Sequence, residues 1–228
     1  MKAEKRPTAG YPVTLQLAGR LVVIVGAGQV GKRKLQGLAQ SGARIKIIDP
    51  AASGIAPGEK TDCLQRPYRS GDLTGADLVF ICTDDPVVNQ QAADEAAALS
   101  IWYCRSDQPR QGNFTVPAVL RRENLTVSVS TGGGSPAMAA LFRDRIAEMV
   151  PDSWGKAVDI IAAVRRKWLT EQTEVKYNQE VLCNLLDREL IPLIAHKQIK
   201  KIDQLLQSQF GPGFTLSELQ VQIDEGAP

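Results

Sequence analysis

The sequence predicts an α/β fold in which a parallel sheet with helices on both faces is followed by a smaller α+β region and a helical tail. Three observations predict it. An apolar, β-branched run from Leu21 to Val25 feeds directly into Gly26-Ala27-Gly28-Gln29-Val30-Gly31, and a helical pattern follows from Lys32 to Ser41. A second apolar run, Ile45 to Ile48, ends in Asp49. Two more short apolar runs, Ala76 to Cys82 and Ile101 to Cys104, continue the alternation to about residue 113. Strands that alternate with helices give parallel, doubly wound sheets.

Taken in order, Tyr11 to Leu17 reads as a lead-in strand or an extended arm. The first two strands span Leu21 to Val25 and Arg44 to Ile48. Ala51 to Glu59, rich in Ala, Gly and Pro, reads as a loop, and Cys63 to Arg66 as a short third strand. Ala76 to Cys82 is a buried strand bounded by turn residues. Asp85 is placed to cap the next helix, with Pro86 in its first turn, and that helix runs to about Leu99. Ile101 to Cys104 is the next strand.

The pattern then changes. Asn113 to Val119 and Asn124 to Ser130 read as strands, and the second alternates Leu125, Val127 and Val129 with polar residues. Such alternation belongs to a half-exposed or antiparallel sheet. Thr131-Gly132-Gly133-Gly134-Ser135-Pro136 turns into a helix, with Ser135 as cap and Pro136 at the first position. From Pro151 the pattern is helical, over Ser153 to Leu169, Thr173 to Leu190 and Pro192 to Phe210, with Gly211-Pro212-Gly213 as a stop. Asp224 to Pro228 are expected to fray. The expected domains are 1–113, 114–150 and 151–228.

The glycine loop is the dinucleotide fingerprint in its proper context, which makes the first domain Rossmann-type. Gly26 permits the tight turn, Gly28 lets backbone approach a diphosphate, and Gly31 lets the helix sit against the strand. Gln29 and Val30 open that helix, whose N–H groups favour phosphate. Asp49 can accept hydrogen bonds from ribose hydroxyls and would repel a 2′-phosphate, so NAD is expected over NADP. Arg44 and Lys46 lie nearby in sequence.

Composition excludes several classes. The 228 residues are 43% hydrophobic and 23% charged, the range of an ordinary globular protein. A formal charge of +2 gives no reason to expect a nucleic-acid partner. No membrane span or export signal is expected, since Met1 to Gly10 are polar and basic. The four cysteines form no Cys-x-x-Cys pair, and with a single histidine, His196, no metal site is expected. Cys82 and Cys104 read as small buried hydrophobes of a reducing, cytoplasmic protein.

Ligands of such sheets bind at the carboxyl ends of the strands. Two further positions lie there. Thr83-Asp84-Asp85 is either a plain helix cap or, at Thr83 and Asp84, a contact to the cofactor's ribose. Arg105-Ser106-Asp107 offers a carboxylate able to accept a proton while hydride departs, or else a loop Asp before Pro109. The run Gly132 to Gly134 is either an anion-binding nest or a flexible connector. Lys32, Arg33, Lys34, Arg105 and Arg110 bring positive charge near the expected cleft, which matters only for a polyanionic substrate.

The ordered set of Val25-Gly26-Ala27-Gly28 with Gly31, Thr83-Asp84-Asp85 with Asn89, Asp107, Phe114 with Pro117, and Ser130-Thr131-Gly132-Gly133 with Ser135-Pro136 resembles the precorrin-2 dehydrogenase family, the dehydrogenase and ferrochelatase module of siroheme synthase. The resemblance covers residues 11 to 150 well and the helical tail loosely. It implies NAD-dependent oxidation of precorrin-2 to sirohydrochlorin, followed in several members by insertion of ferrous iron at the same site. It implies a homodimer joined through the central region. It makes Asp107 the catalytic residue, and Ser130, Thr131, Gly132, Gly133 and Ser135, with Arg105, contacts for the polycarboxylate substrate. Arg105 departs from the family pattern. It either grips a substrate carboxylate or lowers the basicity of Asp107, which bears on the metal-insertion half. Two other readings compete: a nucleotide-sensing regulatory module, which needs neither Asp107 nor the Gly132 turn, and a catalytically silent member that binds without turnover.

Overall fold

The computed structural model describes residues 10–52, 60–171 and 189–223. The expected helix Thr173 to Leu190 (up to residue 188), most of the Ala51–Glu59 loop and the last five residues lie outside them. The chain divides into two compact units, residues 1–116 with 132–135, and 117–131 with 136–228.

The first unit is built on five parallel strands, β1 (Leu21–Val25), β2 (Arg44–Ile48), β3 (Thr61–Leu64), β4 (Leu78–Ile81) and β5 (Trp102–Arg105), in the order β3-β2-β1-β4-β5. Strand order reverses between β1 and β4, the switch point where open α/β sheets bind ligands. All five residues of β1 are apolar because both faces of this central strand are covered. Val22 and Ile24 face one cluster with Ile45, Ile47, Leu78 and Phe80, on the side of α1 (Gln29–Leu38). Val23 and Val25 face the other, with Val79, Ile81 and the alanines Ala92, Ala93 and Ala96 of α2 (Pro86–Ala98). Those small side chains let α2 lie close against the sheet. Asp85 caps α2 as the sequence predicts: its Oδ1 accepts from the backbone N–H of Val87 at 2.8 Å and of Val88 at 3.3 Å.

Of the two alternatives for Tyr11 to Leu17 the strand is not formed, and Tyr11, Val13 and Leu15 stay exposed. One expectation for this unit needs correction: Asn113 to Pro117 is not strand. A 3-10 turn, Pro109–Gln111, brings Asn113 against the outer edge of β5. There its N–H donates to the Tyr103 carbonyl at 3.0 Å, its Oδ1 accepts from the Tyr103 N–H at 2.7 Å, and its Nδ2 donates to the Ile101 carbonyl at 3.1 Å. One asparagine thus occupies polar edge groups that would otherwise invite another strand.

In the second unit an antiparallel hairpin, β6 (Ala118–Arg122) and β7 (Leu125–Val129), carries α3 (Pro136–Met149). The alternation read in β7 holds: Leu125, Val127 and Val129 are half-buried and Thr126 and Ser128 exposed. Helices α4 (Ser153–Glu171), α5 (Ile191–Ala195) and α6 (Ile199–Phe210) enclose a core around Ile160, Val164, Ile194, Ile202, Leu206 and Phe214. The single helix expected over Pro192 to Phe210 is broken. Lys197 takes φ 53°, the Gln198 N–H bonds the Leu193 carbonyl and the Lys197 N–H that of Ile194, a Schellman stop made without glycine. Among the described residues, no helix is long and apolar enough to cross a membrane.

Candidate functional site

The glycine loop leaves β1 at the switch point. Gly26 has φ 97°, in the left-handed region, and a Cβ there would stand 2.7 Å from the carbonyl carbon of Cys82. Only glycine lets the loop cross the end of β4 so closely. A Cβ on Gly31 would overlap the Gly26 carbonyl oxygen, so the start of α1 also depends on glycine. Gly28 differs from both: its φ is −64° and a Cβ would meet nothing within 4 Å. It caps α1 without a side chain, so no side-chain oxygen takes the first N–H groups of the helix. Gln29 and Val30 form the opening turn of α1. This is the cradle a dinucleotide diphosphate requires, open at Gly28 with helix N–H groups beneath it.

Asp49 stands at the tip of β2. Its Oδ2 accepts from the Ala27 N–H at 2.5 Å and its Oδ1 from the Ala51 N–H at 2.6 Å. The carboxylate is thereby tied to the glycine loop from the neighbouring strand, and its remaining lone pairs suit ribose hydroxyls.

The ends of β4 and β5 carry one connected polar network. Thr83 Oγ1 donates to Asn89 Oδ1 at 2.6 Å, and Asn89 Nδ2 donates to the Thr83 carbonyl at 3.0 Å. Asn89 is 1% exposed and its side chain also supports Asp107. Asp84 is exposed beside Thr83. The Arg105 guanidinium takes both Asp107 oxygens, Nε to Oδ1 at 3.1 Å and Nη2 to Oδ2 at 2.8 Å. Its Nη1 donates to Gln90 Oε1 at 2.7 Å and Gln111 Oε1 at 2.8 Å. Arg105 is 1% exposed, whereas the Asp107 side chain keeps 25% of its surface. The Arg105 guanidinium holds the Asp107 carboxyl below the usual carboxylate range, against the opposing effect of burial. Of the two roles left open for Arg105, the geometry serves the second: its fork is occupied by Asp107 and shielded from solvent.

Cys82 and Cys104 are buried, and burial pushes both thiols up. Lys34 lies over the Phe80 ring, 5.4 Å from its centroid, while Lys32, Arg33 and Arg110 are exposed. Gly132, Gly133 and Ser135 group with the first unit, and Ser130 and Thr131 with the second. Gly132 and Gly133 have φ 59° and 80°, a backbone that favours glycine at both positions. His196 is exposed on the second unit, its Nδ1 2.8 Å from the Pro192 carbonyl. Sequence reasoning did not single out Gln90 or Gln111, nor Asn89 as a site residue. A signal existed for Asn89: it lies one helical turn after the cap Asp85, on the face turned to Thr83.

A family model described as putative NAD(P)-binding matches residues 13–118. A second, described as sirohaem biosynthesis protein central, matches residues 122–149. The chain belongs to the precorrin-2 dehydrogenase family. It is 33% identical over 160 residues to a siroheme synthase of Pseudomonas putida (strain W619), covering 68% of this chain and 34% of that protein. It is 27% identical over 206 residues to a siroheme synthase of Pseudomonas paraeruginosa (strain DSM 24068 / PA7), covering 89% and 44%. The chain thus spans between a third and a half of the length of these relatives. A solved structure described as SirC, precorrin-2 dehydrogenase, shares the fold with a TM-score of 0.66 at 22% identity, over 86% of this chain and 100% of that one. The first unit is accordingly an NAD(P)-binding domain.

Proposed function

We propose that this chain oxidises precorrin-2 to sirohydrochlorin with NAD, on the way to siroheme. The observation that carries the reading is the pairing of an open glycine cradle at the β1–β4 switch point with an ionised, partly exposed carboxylate, Asp107, two strands' ends away. NAD, when bound, supplies the hydride acceptor. Gly26, Gly28, Gln29, Val30 and Gly31 hold its diphosphate against α1. Asp49 takes the ribose hydroxyls and disfavours a 2′-phosphate, which makes NAD the cofactor over NADP. Thr83 and Asp84 border the nicotinamide ribose.

Losing hydride leaves the tetrapyrrole electron-poor and makes its departing proton acidic. A fixed carboxylate stabilises that developing charge and accepts the proton, even when it is a weak base. Lys32, Arg33 and Arg110, with Gly132, Gly133 and Ser135 of the same unit, take the substrate's carboxylates. Insertion of ferrous iron makes a different demand, because it strips protons from neutral pyrrole nitrogens. Asp107, held by Arg105, is poorly suited to that, so the reaction ends at sirohydrochlorin.

The active form is a homodimer of a cytoplasmic enzyme. Met138, Leu141, Phe142 and Met149 leave an exposed apolar stripe along α3. A two-stranded hairpin backed by one helix buries little by itself, and a second copy completes it. Purified protein mixed anaerobically with precorrin-2 and NAD is expected to develop the sirohydrochlorin spectrum, and Asp107→Ala is expected to bind NAD but lose the conversion. Absence of NAD-dependent conversion in the wild type would favour a sensing or silent role. Ferrous iron added afterwards is expected to leave the product spectrum unchanged, and appearance of siroheme refutes the stop at sirohydrochlorin.

A further inference from the structure

A buried arginine at the end of a sheet strand has to be explained, because an unpaired guanidinium there is costly. Arg105 is the last residue of β5, in register with Ile81 of β4. Along β5, Cys104 points into the α1 side of the sheet, so Arg105 points to the α2 side. Leucine or valine would fill that place at lower cost. Instead the side chain makes four hydrogen bonds, two to Asp107 and one each to Gln90 of α2 and Gln111 of the 3-10 turn.

We propose that Arg105 is the positioning residue of Asp107, a shielded guanidinium that grips the carboxylate along one edge and fixes the direction of its free lone pairs. The proposal rests on the reading of Asp107 as the catalytic carboxylate. The fork is bidentate, which fixes orientation as well as distance. Gln90 and Gln111 fix the guanidinium in turn, and Asn89 steadies Asp107 from α2. Both Asp107 oxygens spend a lone pair on Arg105 and the carboxylate also meets Asn89, so its orientation is set from the protein side while a quarter of the side chain stays exposed. The carboxylate meets its substrate already aimed and already charged.

Other titratable groups adjoin the pair. Gln90 Nε2 donates to Asp94 Oδ1 at 2.7 Å, so Asp94 of α2 ends the same hydrogen-bond chain. Tyr103 of β5 and Asp94 both add to the field that favours charged Arg105. Arg110 extends from the 3-10 turn. Asp94→Asn is therefore the control for any change at acid pH.

The test compares Arg105→Gln, Arg105→Lys, Gln111→Met, Asp94→Asn and Asp107→Asn. The first readout needs no cofactor: the side-chain carboxyl carbon of Asp107 followed by NMR against pH. In the wild type it titrates below the ordinary value of about 3.9, and in Arg105→Gln its titration moves up to that value or above it, since burial then acts unopposed by the guanidinium. Asp94→Asn leaves it at its wild-type position. The second readout is turnover. Arg105→Gln is expected to lower kcat about 100-fold with little change in KM for NAD, because the carboxylate loses its aim. Arg105→Lys restores the charge without the fork, so the titration recovers and kcat does not. Gln111 is exposed, so Gln111→Met folds and shows a smaller loss in the same direction.

Wild-type kcat and Asp107 titration in Arg105→Gln, with Asp107→Asn inactive, overturn the positioning role alone. Undiminished turnover in Asp107→Asn overturns the reading of Asp107, and the positioning role falls with it. Should Arg105→Gln not fold, Gln111→Met with wild-type kcat and titration overturns the proposal.

Discussion

Replacing Gly31 by alanine adds one methyl group where the structure has no room for it. The new Cβ would overlap the Gly26 carbonyl oxygen and lie 3.5 Å from Ile24 Cγ2. The obstacle is backbone of the loop itself, so no rotamer change relieves it. Ordinary contact is restored only if the start of α1 recedes from β1 by about 1.5 Å. Two effects oppose each other in stability. Alanine gains about 1 kcal/mol over glycine within a helix, while overpacking against backbone that no side-chain motion relieves falls at the upper end of its usual cost, about 2–3 kcal/mol. A net loss of about 1–2 kcal/mol is expected from urea unfolding. The effect on cofactor is larger, because the displaced N–H groups are those that face the diphosphate. A misplacement of about 1 Å at such a site weakens binding by about 100-fold. Titration calorimetry with NAD measures it. Gly28→Ala is the counterpart: its methyl meets no protein atom and its φ suits any residue, so the fold keeps its stability while NAD binding weakens. Wild-type NAD affinity in both variants would refute the placement of the diphosphate, and wild-type stability in Gly31→Ala would refute the close-approach argument.

Three further outcomes follow from the geometry. Asp49→Asn keeps an acceptor near Ala27 but removes the charge that repels a 2′-phosphate, so the ratio of NADP to NAD affinity is expected to rise about tenfold, and an unchanged ratio refutes the selectivity assigned to Asp49. Asp72 is held below the usual carboxylate range by bidentate contact with Arg66 at 2.8 and 2.6 Å. Its contribution to stability is therefore complete above about pH 4, the unfolded value, and lost as pH falls through the lower folded one. Wild type should exceed Asp72→Asn in urea unfolding at pH 7, with the gap narrowing by pH 3; a gap constant across that range contradicts the assignment. Phe142→Glu places a charge in the apolar stripe of α3 and is expected to yield a folded monomer by sedimentation, whereas a variant that remains dimeric moves the interface elsewhere.

The nucleotide loop was legible in the sequence because its demands are local. Gly26 is required by a positive φ, Gly31 by contact five residues back, and Asp49 by the tip of the next strand. A helix cap such as Asp85 is local for the same reason. The apolar runs likewise marked all five parallel strands: β1 and β2 at their observed bounds, β4 and β5 with ends displaced by one or two residues, and β3 shifted as a whole by two, to Thr61–Leu64 from the expected Cys63–Arg66. The hairpin was legible through its period of two, but its first strand began late, because Asn113 was already engaged on the edge of β5.

Local pattern alone did fix that a strand, a glycine turn and a helix would make a nucleotide cradle, since each needs only neighbours in the chain. It could not say that the helical pattern over Pro192 to Phe210 stops at Lys197, which adopts a left-handed turn usually left to glycine. Nor could it choose between two roles for Arg105. That choice belongs to three separate elements, since α2 supplies Gln90 and Asn89, the 3-10 turn supplies Gln111, and β5 supplies the buried position that turns the guanidinium onto Asp107. Burial and hydrogen-bond partners are properties of assembled surfaces, and only the packed fold decides them.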